Sequence, residues 1–185
     1  MSRPATIAAM LAATLLIITP VLSDHAPRLV WNGSASAPVG LYRTAPVDAV
    51  QVGDLVMVSP PAAIAQLIEA RGYLPRGVPL IKRILALPAT EICRQVTTIF
   101  AYGRAYGEAR ERDAHGRDLP DWQGCRTLRA DEVFLMNWDA SDSLDGRYFG
   151  PLPKSAITAH LTPIWTDEDG DGRFNWTSPP IALEP

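Results

Sequence analysis

Twenty consecutive residues without a charge, Pro4 to Ser23 (PATIAAMLAATLLIITPVLS), constrain this chain more than any other feature. About 20 apolar residues span a bilayer as a helix. Arg3 and the amino terminus precede the run and Asp24 follows it. The positive-inside rule then leaves the N-terminus in the cytoplasm and sends the remainder across. A cleaved signal peptide, cut after Ser23 or Ala26, is the alternative. Cores of such peptides run to about 7–15 residues, shorter than this stretch. Residues 1–23 are therefore read as an uncleaved anchor. Under both readings the body is exported.

That body is one domain's worth of a 185-residue chain. Its 17 basic and 20 acidic side chains leave a net charge of -3, so no basic excess exists to hold nucleic acid. Seventeen prolines and 13 glycines, set between short Val/Leu/Ile runs, predict a mainly β fold with few helices. Residues 24–35 read as an extended linker ending in the turn Asn32-Gly33-Ser34-Ala35. Strands are expected at Leu55–Val58, Leu80–Leu87 and Val133–Met136, with a helix from Ala62 to Arg71 stopped by Gly72. Residues 93–125 read as an inserted lobe of hairpins and loops, and 175–185 as a loose tail after a 24–174 body. Cys93 and Cys125 have no CxxC spacing and are too few for a structural zinc site. In an oxidising compartment they are expected to pair, the alternative being two unrelated buried thiols.

Lys82 stands inside the apolar stretch Leu80–Leu87. Strand side chains alternate, so it shares a face with Leu80, Ile84 and Ala86, with no acidic neighbour in sequence. Burial there disfavours the ammonium and yields a neutral amine, which is a general base. The plainer reading is an edge lysine reaching water. None of the three histidines, His25, His115 and His160, lies in a G-x-S-x-G or H-E-x-x-H setting. A serine–lysine pair needs no histidine. Candidate serines lie in Asn32-Gly33-Ser34-Ala35-Ser36-Ala37-Pro38, which taken alone also reads as a linker. Asp167-Glu168-Asp169-Gly170-Asp171-Gly172 starts like a calcium loop, but Ser178 stands where the closing glutamate is needed, so an acidic turn is expected. Trp122, Trp138 and Trp165 are read as core packing rather than a substrate groove.

Three blocks occur in order: N-G-S-A-S-A-P-V-G-L-Y, L-I-K-R-I-L-A-L-P and S-D-S-L-D-G-R-Y-F-G-P-L-P. They resemble the motif blocks of the type I signal peptidase superfamily, and G-D-L-V-M-V at 53–58 resembles a further one. The S-x-P-x-G-L-Y and D-G-R-Y-F-G-P forms resemble its conjugative-transfer branch, which matures pilin precursors. The resemblance covers about residues 30 to 160. It implies a signal-peptidase-like β fold behind an N-terminal transmembrane helix. It also implies a serine endopeptidase in the bacterial inner membrane, with its catalytic domain in the periplasm and no cofactor or metal.

Carried over by position, Ser36 corresponds to the nucleophile and Lys82 to its base. Ser34 corresponds to a serine that helps hold the oxyanion, beside the Ser36 N–H, and is the alternative nucleophile. Ser143 corresponds to the serine that orients the lysine. Asp145 and Arg147 correspond to a bracing pair, Asp145 having the alternative of positioning Lys82 itself. Two departures stand out. One residue fewer separates the serine from its proline than in general signal peptidases, in line with the conjugative branch. Asn137-Trp138-Asp139-Ala140 replaces the usual Gly-Asp-Asn-Arg. The implied partners are the inner membrane and an exported precursor, prepilin or another preprotein. Release of the acyl-enzyme by water or by the precursor's own amine both fit. A general signal peptidase and an inactive component of a secretion apparatus are the alternatives.

Overall fold

The computed structural model describes residues 3–18 and 27–177. The first element, α1 (Arg3–Ile18), has 16 residues, which is about 24 Å of helix. Among the described residues no helix is long and apolar enough to cross a membrane. Residues 19–23 of the uncharged run, His25 and Ser178 lie outside the described residues.

The body is mainly β, as composition predicts. Its larger sheet begins with β1 (Leu29–Asn32), β2 (Val39–Ala45), β3 (Leu55–Val58) and β4 (Leu80–Ala86). The smaller sheet is β5 (Glu91–Gln95), β6 (Thr98–Ala101), β7 (Arg104–Glu108) and β8 (Gly124–Thr127). The chain then returns through β9 (Glu132–Leu135), β10 (Leu152–Pro153), β11 (Ile157–Asp167) and β12 (Asn175–Trp176). Strand order is β1-β2-β11-β3-β4-β9-β10 in the first sheet, with β12 on β11, and β7-β6-β5-β8 in the second. The helix α2 (Ala62–Ala70) covers the first sheet, its Ile68 packing with Val56, Val58, Leu80 and Ile84.

Two readings of the sequence need correction. The stretch taken as a linker contains β1, which pairs with β2 from Leu29↔Arg43 to Asn32↔Gly40. The tail starts with a paired strand, Trp165↔Trp176 and Thr166↔Asn175, while 178–185 lie outside the described residues. Both segments are short and little buried, and the apolar run in the first is only Leu29-Val30-Trp31, shorter than that of a core strand.

Gly40 shows why the V-G-L-Y motif needs its glycine. Its φ is +148°, and a Cβ there would lie 2.2 Å from the Trp165 carbonyl oxygen. Two strands meet at that point with no room for a side chain. On one face, cross-strand pairs Trp31↔Leu41, Leu41↔Trp165 and Trp165↔Trp176 form a row. Phe174 stacks on it 4.8 Å from Trp165, and Trp176 is 74% exposed. Trp165 thus belongs to a half-exposed aromatic face. Trp122 packs edge-on against Phe134 and Trp138 against Tyr106, as expected of core residues.

In the smaller sheet Cys93 and Cys125 sit opposite each other on β5 and β8 and are disulfide-bonded. The expected pairing is therefore present. The Asp167 loop is an acidic turn. Both Asp167 carboxylate oxygens accept backbone N–H groups, from Asp171 at 3.1 Å and Gly172 at 2.8 Å, which occupies them with the loop's own backbone.

Candidate active site

Ser36 lies in the turn between β1 and β2, and Asn32 builds that turn. The buried Asn32 amide donates to the carbonyls of Ser34, Ala37 and Pro38 at 2.9–3.0 Å, and its oxygen accepts the Ser34 N–H at 3.0 Å. Tyr42 donates its hydroxyl to the Pro38 carbonyl at 2.6 Å from a fully buried position. Burial raises the Tyr42 phenol far above its usual range, so it stays a donor. The turn is thus pinned at both ends by side chains of its own motif. Ser34 and Ser36 share a hydrogen bond between hydroxyls at 2.9 Å. The Ser36 N–H also points to Ser34 Oγ, at 3.4 Å.

Lys82 occupies the middle of β4, opposite Val56 of β3. It is 4% exposed. Leu80 and Ile84 join one apolar cluster on its face, as alternation predicts. Ala86 does not, because the register shifts between Ile84 and Ala86, and Ala86 packs with the smaller sheet instead. The Lys82 amine donates to Ser143 Oγ at 2.9 Å. Desolvation lowers its pKa from 10.5 to about 8. Asp145 and Asp142 act in the opposite sense, and Arg147 reinforces the fall. The carboxylates missing near Lys82 in sequence are supplied from 60 residues on by the D-S-L-D segment.

Asp145 and Arg147 form a buried pair. The guanidinium meets both carboxylate oxygens at 2.9 Å, and the Asn137 N–H donates to Asp145 Oδ2 at 3.0 Å. The same guanidinium holds the carbonyls of Asn137, Ala140 and Ser141 at 3.2, 2.6 and 3.4 Å. Asp145 is thus fully engaged in the brace, while Ser143 takes the hydrogen bond from Lys82. Gly146, the start of α3 (Gly146–Phe149), must lack a side chain because a Cβ would lie 2.7 Å from the Leu135 carbonyl oxygen.

Asn137 was not among the residues that sequence reasoning singled out for chemistry. β9 ends at Leu135, and the Asn137 side chain carries the ladder on by accepting the Arg83 N–H at 2.8 Å. Its amide donates to the carbonyls of Ser36 at 2.6 Å and Ile81 at 3.1 Å. One side chain therefore ties the serine turn to the lysine strand. Its only signal in the sequence was its place in the block that departs from the expected Gly-Asp-Asn-Arg. Ser34, Ser36, Lys82, Asp142 and Ser143 line one cavity of about 640 Å³, together with Tyr73, Ile81, Arg110, Arg112, Asp113 and Ala114. His160 lies elsewhere, its Nε2 against the Ala49 carbonyl at 2.6 Å. Cys93 and Cys125 are in the smaller sheet, outside the cavity lining.

With a buried amine and a serine hydroxyl facing one cavity, the arrangement has the parts for acyl transfer without a metal. Comparison with known proteins gives the family. A conjugal transfer protein TraF from Agrobacterium tumefaciens (strain 15955) is 35% identical over 147 residues, spanning 73% of this chain and 81% of that protein. A plasmid transfer protein TraF from Escherichia coli is 33% identical over 147 residues, with the same coverage. Among solved structures, a signal peptidase I from Enterococcus faecalis V583 aligns at 17% identity and a TM-score of 0.39, over 63% of this chain and 99% of that one. The pattern of the signal peptidase family, peptidase S26, matches residues 3–166, which takes in every residue of the site. The chain belongs to the signal peptidase family, peptidase S26.

Proposed function

We propose that this chain is a membrane-anchored serine endopeptidase that matures exported precursors for conjugative transfer, prepilin among them. Ser36 is the nucleophile and Lys82 its base. The observation that carries the reading is the Lys82 amine: buried, oriented by Ser143 at 2.9 Å, lowered to about 8, and facing the cavity that Ser36 lines. Neutral Lys82 takes the Ser36 hydroxyl proton as Oγ attacks the scissile carbonyl. The oxyanion is met by the Ser36 N–H and the Ser34 hydroxyl. Lys82 then hands the proton to the leaving amine, and an acyl ester remains on Ser36. Water deprotonated by the same amine releases the product. No step calls on a metal or cofactor.

The uncharged run from Pro4 to Ser23 anchors the chain in the inner membrane, with the β body in the periplasm. Ser36 lies only 13 residues past Ser23, a tether of at most about 43 Å. The aromatic face of Trp31, Trp165, Phe174 and Trp176 supports this placement, since tryptophan favours the bilayer interface. The conjugation names of the relatives support the choice of substrate over a general preprotein.

The test is to incubate the purified full chain in detergent with a candidate prepilin and weigh the product. A shortened pilin is expected, one water heavier if linear than if closed by its own amine. An uncut prepilin beside a readily cut secretory preprotein would move the function to general signal peptidase. Failure to cut either would leave the chain as a structural component.

A further inference from the structure

The Gly146-Arg147-Tyr148 segment is gripped from its outer side by the lobe between β5 and β8. Trp122 Nε1 donates to the Gly146 carbonyl at 3.0 Å. Arg94 donates to the Arg147 carbonyl at 2.7 Å. The Arg110 backbone N–H donates to the Tyr148 hydroxyl at 3.0 Å. Three consecutive residues are thus each held by a different lobe residue. Arg94 is buried on β5 next to disulfide-bonded Cys93, and its remaining donors go to the Val96 carbonyl and Asp121 at 3.1 Å each. On the inner side of the segment stand the Asp145–Arg147 pair, Asn137 and Ser143, which hold Ser36 and Lys82. Hydrogen bonds therefore lead from the lobe through Arg147 and Asp145 to Asn137 and the Ser36 backbone carbonyl, and through the Ala140 carbonyl and Ser143 to the Lys82 amine.

A buried guanidinium is costly to desolvate and is not needed to fill a core. Arg94 spends it on the backbone carbonyl of Arg147, whose side chain pairs with Asp145. Neither Arg94 nor Trp122 lines the cavity, so neither is placed to touch a substrate there. We propose that the lobe is a clamp on the site, with Arg94 and Trp122 as positioning residues that hold the Asp145–Arg147 brace, and through it Ser143 and Asn137, in register with Lys82 and Ser36. The disulfide fixes β5 to β8 beside Arg94 and keeps the clamp's anchor point in place. The activity arm of this proposal rests on the peptidase reading above, while its structural arm does not.

The charged groups that bear on Lys82 are Asp145, Arg147 and Asp142, and β3 opposite it carries only Leu55–Val58. Loosening the brace admits water to the amine and undoes its desolvation. The chain has two lysines, Lys82 and exposed Lys154, so lysine-selective carbon-13 labelling of the full chain in detergent gives two side-chain titrations, one an internal reference. Arg94→Met is expected to raise the Lys82 midpoint by about half a pH unit or more and leave Lys154 unmoved. In the cleavage assay kcat falls about tenfold while KM stays within about twofold. Arg94→Lys restores part of both. Trp122→Phe, which keeps an aromatic ring on Phe134, gives the same directions with smaller size and serves if Arg94→Met does not fold. A folded variant with a wild-type Lys82 midpoint overturns the proposal. So does a rise in KM at constant kcat, which makes the lobe a substrate wall. If the wild-type chain cleaves nothing, the peptidase reading fails and the lysine titration alone decides the clamp.

Discussion

Replacing Asn137 by alanine should damage stability and activity together. The side chain makes three hydrogen bonds, to the Ser36 carbonyl at 2.6 Å, the Ile81 carbonyl at 3.1 Å and the Arg83 N–H at 2.8 Å. It is buried, so little water is at hand to replace it. At about 1 kcal/mol for each neutral hydrogen bond, the loss comes to about 3 kcal/mol. For a body of this size that corresponds to a fall in Tm of about 6–12 °C. The Ser36 turn also loses its tie to the Lys82 strand, and a misplacement of about 1 Å lowers the rate by about a hundredfold. Asn137→Asp keeps the contact with Arg83 but sets a carboxylate oxygen against two carbonyls, so it should be no better. Thermal unfolding followed by tryptophan fluorescence in detergent reads the first effect, and prepilin cleavage the second. Both variants melting within about 2 °C of wild type and cleaving within about twofold would refute the bridging role.

Four further outcomes follow from the same geometry. Cleavage should rise as pH passes about 8, because the Lys82 pKa is lowered to that value and the neutral amine is the base; a rate that is flat or falls from pH 6 to 9 contradicts it. The sign for stability is the same: between about 8 and 10.5 the unfolded chain binds a proton at Lys82 that the folded chain does not, so this residue makes unfolding harder as pH rises through that window. Arg147→Leu leaves Asp145 buried without its partner and should cost about 3–5 kcal/mol in chemical denaturation, with a cost under about 1 kcal/mol counting against the brace. Reduction of Cys93–Cys125 should lower stability by about 3–4 kcal/mol, and unchanged melting with and without reductant would deny the disulfide a role in the lobe.

The parts of the site that were legible in the sequence were legible in two ways. Lys82 stood out locally as a lysine among apolar strand residues, while the roles of Ser36 and of the S-D-S-L-D-G-R run came from their resemblance to family motif blocks. The structure brings them to one cavity, with Ser143 against Lys82. Asn32 and Asn137 were not legible as functional, because an asparagine's role depends on which backbone groups face it. For Asn137 those groups come from residues 36, 81 and 83, far away in sequence. The central strands β3 and β4 stood out as short apolar runs. The edge strand β1 did not, since Leu29–Asn32 is buried only at its polar end, Asn32, with Leu29 and Trp31 exposed. The grip of the lobe on α3 escaped notice for a similar reason: two of its three contacts end on backbone carbonyls, which carry no residue signature.

The most direct test of the account is the cleavage of prepilin by three single variants of the full chain, read by mass spectrometry. Ser36→Ala and Lys82→Ala should each give no mature pilin above background. Ser34→Ala removes one oxyanion donor and leaves the nucleophile, so it should still cut, about 10²-fold to 10³-fold more slowly. Mature product from Ser36→Ala or Lys82→Ala, or its complete loss in Ser34→Ala alone, would contradict the assignment of Ser36 and Lys82 as the reacting pair.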